Sequence, residues 1–120
     1  MPIEVKQVQE STVAHPVNPD EDVFLTVTIG NAQLGASLVV DGSGNTLAKG
    51  DIAKVNLGRG SSLLGTAITV FTNVLDVNDV DPNNGVVVVD HFTNVRNDYL
   101  YKDTAPQGGI VSFTKHYRFV

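Results

Sequence analysis

An all-β fold, two antiparallel sheets packed as a sandwich of immunoglobulin-like or related Greek-key type, is predicted by three features of this sequence. Apolar residues recur with period two almost throughout. Turn-forming residues interrupt the alternation every ten residues or so. No stretch keeps the i, i+3, i+4, i+7 apolar stripe of an amphipathic helix, so at most one short helix is expected. A jelly roll or a small closed barrel satisfies the same alternation and stands as the alternative.

The elements follow in order. Ile3 and Val5 open a short strand, and residues 12–22, with Pro16, Pro19 and three consecutive acids, read as a loop. Val23, Leu25, Val27 and Ile29 share one face of a strand ended by Gly30-Asn31. Residues 37–41 and 46–49 flank Gly42-Ser43-Gly44-Asn45, a hairpin turn whose glycines accept positive φ. Ala53, Val55 and Leu57 alternate with polar residues up to Gly58-Arg59-Gly60. In residues 66–77, Ala67, Phe71, Leu75 and Val77 point one way and Ile68, Val70 and Val74 the other, so both faces are expected to be partly covered. Val86 to Val89 is β-branched without a break and reads as a central strand, and Tyr99 to Lys102 as a short one. In the last strand, from Ile110, Val111, Phe113, Tyr117 and Phe119 share a face that Lys115 interrupts. The buried set is expected to include Leu25, Val27, Phe71, Val87, Val89 and Phe113.

A chain of 120 residues and 12.8 kDa holds one domain, residues 1–120, and one core. At 42% hydrophobic and 18% charged residues, with mean hydropathy +0.03, it is too apolar for a disordered chain. The absence of cysteine excludes disulfides, thiol catalysis and thiolate-bound zinc. A net charge of −5, with the basic residues scattered, argues against nucleic-acid binding. No apolar run approaches a bilayer span and the first residues lack the order of a signal peptide, so no membrane role is expected and the compartment stays open.

Local chemistry concentrates between Arg59 and Arg96, where there is no Lys or Arg but Asp76, Asn78, Asp79, Asp81 and Asp90 cluster. Oxygen-rich loops of this kind suit calcium, which takes six to eight hard ligands. Asp79, Asp81, Asn83 and Asp90 stand at the first, third, fifth and twelfth places of an EF-hand loop, but Asn84 replaces its glycine and Val86 to Val89 reads as strand. Leu75-Asp76-Val77-Asn78-Asp79 with Pro82 resembles the end-of-strand motif of cadherin repeats, in which Asp and Asn bind calcium between domains. The resemblance covers under a tenth of the chain and its partner motifs are not recognisable here, so no role is carried over from it. Asp, Asn, Pro and Gly also form ordinary turns, which explains the segment without an ion.

Catalytic patterns are weak. Ser61 and Ser62 lack the glycine spacing of a nucleophile elbow, and His15, His91 and His116 are far apart in sequence. Asp90 and His91 are neighbours, which a strand sends to opposite faces. The glycines around Ser43 and Arg59 match no nucleotide-binding motif. The expectation is therefore a non-enzymatic β-sandwich interaction or structural module, possessing no cofactor and meeting a protein partner or a second copy through strand edges at Val86 to Val89 or at the last strand, Ile110 to Val120, a route that closes if the last strand is central. A calcium-binding module using residues 76–90 comes second and a hydrolase a distant third.

Overall fold

A computed structural model describes residues 3–120; Met1 and Pro2 of the predicted domain lie outside the described residues. The described residues form ten strands, which carry the period-two pattern, and one helical turn: β1 (Val5–Gln9), β2 (Val13–His15), β3 (Asp22–Ile29), β4 (Leu34–Asp41), β5 (Thr46–Gly50), β6 (Val55–Arg59), α1 (Gly60–Leu63), β7 (Ala67–Leu75), β8 (Gly85–Phe92), β9 (Asn97–Thr104) and β10 (Ile110–Phe119). They form a six-stranded sheet ordered β1-β10-β7-β4-β5, with β2 also on β10, and a four-stranded sheet ordered β6-β3-β8-β9. The two sheets pack as a sandwich, and every pairing is antiparallel except those of β1 and β2 with β10. Among the described residues only β4–β5 and β8–β9 are hairpins within one sheet; β7 and β10 are neighbours although the β8–β9 hairpin of the other sheet lies between them in sequence.

Local chemistry explains the joins. In the predicted β4–β5 turn, Asp41 Oδ1 accepts the Ser43 and Asn45 amides, each at 2.9 Å, while Gly44 takes a φ of +84°. The residues 12–22 predicted to be loop contain β2, which pairs with Tyr117 to Phe119. A three-residue strand beside Pro16 has too short a pattern to read locally; its partner strand creates it. Gly60 then anchors this segment, since a Cβ there would lie 2.0 Å from the Asn18 carbonyl oxygen.

The core lies between the sheets, with Val23, Leu25, Val70, Val74, Val86, Val88, Phe92, Val111, Phe113, Tyr117 and Phe119 fully buried. Leu25 and Phe113 are where the sequence expects them. Val27, Phe71, Val87 and Val89 are only half-buried, which corrects that expectation. For Phe71, Val87 and Val89 the cause is parity: Val86, Val88, Asp90 and Phe92 turn inward on β8, and Ile68, Val70, Thr72 and Val74 on β7. Of the two positions open to the last strand, the structure shows the central one, because β10 runs between β7 on one side and β1 and β2 on the other, and this closes its edge as a route to association. β8 is likewise central, between β3 and β9.

Candidate functional site

The acidic segment forms a loop organised by a residue outside it. Gln33 is buried just before β4; its Oε1 accepts the amides of Val77 and Asn78 at 2.7 and 2.9 Å, and its Nε2 donates to Asp76 Oδ1 and the Gly85 carbonyl, both at 3.0 Å. Asp76 Oδ2 accepts the Gly108 amide at 3.2 Å. Asn78 donates to the Asn31 carbonyl at 2.7 Å. Asp81 accepts the amides of Asn83 and Gly85 and the side chain of Asn31, and these donors hold its pKa below the usual carboxylate value. Asp76, Asn78, Asp79 and Asp81 thus line one open cleft of about 400 Å³. Most of their oxygens already close the loop, as the turn-former reading expects. Among the described residues no three His, Asp or Glu side chains converge closely enough to hold an ion.

Asp90, grouped with that loop by sequence, is not part of the cleft. Its side chain projects from β8 into the space between the sheets and is fully buried. Lys115 of β10 reaches it from the opposite sheet, Nζ to Oδ1 at 2.6 Å, and is itself fully buried. The Tyr117 hydroxyl donates to Asp90 Oδ2 at 2.5 Å, and the Tyr101 hydroxyl lies 2.8 Å from that of Tyr117. The Lys115 ammonium also sits 5.4 Å from the Tyr101 ring centre. Burial pushes the Lys115 pKa down, opposed by the charge and hydrogen bond of Asp90 and by the charge of Glu10. Burial pushes Tyr101 up to about 12, and burial with the charge of Asp90 raises Tyr117 well above its ordinary value. The cluster joins an amine, a carboxyl and two hydroxyls in the buried space between the sheets. One sequence signal pointed to it: the lysine breaking the apolar face of the last strand.

Beside it, His15 packs its ring on Phe92, with centres 4.5 Å apart, and against the edges of Tyr99 and Phe119. Its Nδ1 lies 2.7 Å from the Tyr99 hydroxyl, and its buried Nε2 has no partner among the described residues. Burial lowers the His15 pKa below its ordinary 6.5. As pH falls past that value the unfolded chain takes up a proton that the folded chain resists, so the protein should lose stability with acid. Urea denaturation near neutral pH and at about pH 5 checks this: His15→Phe should flatten the dependence.

The other sequence candidates do not converge with these groups. His91 points outward from β8 and pairs with Asp98, whereas its neighbour Asp90 points in, as strand alternation requires. His116 bonds Thr69 Oγ1 at 3.1 Å on the outer face of the larger sheet. Ser61 and Ser62 are in α1, and Ser62 lines a groove of about 480 Å³ whose one carboxylate, Asp41, already closes the β4–β5 turn. No family model, no curated protein and no solved structure matches this chain.

Proposed function

We propose that this chain is a non-enzymatic structural module, in the manner of immunoglobulin-like sandwiches, that packs against a second copy of itself through the outer face of its six-stranded sheet. The observation carrying the proposal is a row of apolar side chains across that face. Register places Val5 beside Ile110, Ile110 beside Leu75, and Leu75 beside Leu34. Leu34 is 63% exposed and Val5 49%. Leu34, Leu75 and Ile110 of the row, with Ala36, line a shallow apolar depression of about 270 Å³. Further along the same face lie half-buried Phe71, Leu38 and Val40. Contiguous apolar surface of this kind favours association.

Charge favours a second copy as the occupant. The outward positions of β1, β10, β7 and β4 carry no carboxylate, although the chain has 13 acidic residues and a net charge of −5. Two copies meeting here avoid the acidic repulsion they would meet elsewhere, and two sheet faces can stack about 10 Å apart with their side chains interleaved. Face packing replaces the strand-edge route expected from sequence, whose two strands lie inside their sheets. Light scattering on the intact chain should give a dimer at high concentration. Leu34→Glu, at an exposed position that costs little in folding, should give a folded monomer. A monomeric parent chain at high concentration overturns the proposal.

A further inference from the structure

We propose that the Lys115 and Asp90 side chains condense into an amide, a covalent cross-link between the two sheets made by the protein itself. The geometry supplies both reactants. An amine and a carboxyl in contact at 2.6 Å, both wholly out of water, are held by central strands of opposing sheets and cannot drift apart without opening the core. Fixing two reactants in contact turns a bimolecular condensation into a unimolecular one. Keeping water out removes the competing hydrolysis. Burial, which pushes the Lys115 pKa down, lowers the cost of passing a proton from its ammonium to the neighbouring carboxyl.

The step balances within the cluster. The Lys115 ammonium passes one proton to Asp90 Oδ1, leaving a neutral amine and a carboxylic acid. The Nζ lone pair then attacks Cγ, and the carbonyl electrons move onto Oδ2. Tyr117, whose hydroxyl donates to Oδ2 at 2.5 Å, stabilises the negative charge developing there. Tyr101, 2.8 Å behind it, holds the Tyr117 oxygen in place. A second Nζ proton passes to Oδ1, the Cγ–Oδ1 bond breaks, water leaves, and the carbonyl re-forms at Oδ2. One proton stays on the new amide nitrogen. No oxidant, metal or cofactor is consumed.

Intact mass spectrometry of the full chain, folded and then denatured, reads the result. The expected mass is lower than that of the sequence by one water. Trypsin should then fail to cut after Lys115 and should release a branched species joining residues 60–96 to 103–118. Lys115→Arg, which keeps the charge but whose guanidinium does not condense, should show its full mass. Tyr117→Phe should fold and show a slower loss of water on incubation; loss as fast as in the parent chain would remove Tyr117 from the step. A folded parent chain that keeps its full mass after prolonged incubation near neutral pH, with separate peptides ending at Arg96 and Lys115, overturns the proposal.

Discussion

Lys115→Met should destabilise the fold by at least about 3–5 kcal/mol, because it leaves the buried Asp90 carboxyl without its opposite charge. The methionine fills most of the space, so the loss comes from electrostatics more than from a cavity. Adding Asp90→Leu should restore much of the stability, since an apolar pair needs no compensation. Equilibrium urea denaturation of the parent chain and both variants measures the effect. A cross-linked parent chain makes the first loss larger and the recovery smaller, so the same series also bears on the covalent link. A loss below about 1 kcal/mol for Lys115→Met would mean that water reaches the pair.

Phe92→Ala should cost about 3–5 kcal/mol, as for other large side chains removed from tight cores. Phe92 is fully buried on β8, its ring centre 4.5 Å from that of His15 and 4.8 Å from that of Tyr117. Its removal therefore opens a cavity beside the Asp90 cluster as well as in the apolar core. Phe71→Ala, by contrast, should cost on the order of 1 kcal/mol, because the ring lies half-covered on the outer face of the larger sheet. Thermal and urea denaturation of the two variants side by side tests which face of each strand looks into the core. Equal losses would contradict the inward set of β7 and β8.

The difference between those two phenylalanines shows where local pattern stops being informative. Residues 86–89 are all valine, so alternation alone does not say whether Val86 and Val88 or Val87 and Val89 turn inward. Choosing the inner face from sequence means keeping Asp90 out of the interior, and that choice selects the wrong parity. The structure turns Asp90 in because Lys115 meets it from the other sheet. The calcium grouping fails at Asp90 for the same reason: proximity in sequence joined it to a loop, and strand geometry sent it between the sheets. Asp76, Asn78, Asp79 and Asp81 stay together because consecutive turn residues have nowhere else to go. Gln33, which ties that loop down, is invisible to a reading of the segment alone because it lies more than forty residues away from Asp76 to Asn78.

By itself the sequence determined the all-β class, the position of most strands and the β4–β5 turn, since these depend on side-chain alternation and backbone preferences acting within a few residues. Tertiary structure decided the rest. β2 exists because β10 offers it a free row of N–H and C=O groups, and β10 is central because the N-terminal segment folds back along it in parallel. The same placement buries Lys115, a residue whose charge marks it for the surface until a carboxylate on the opposing sheet makes the interior habitable for it.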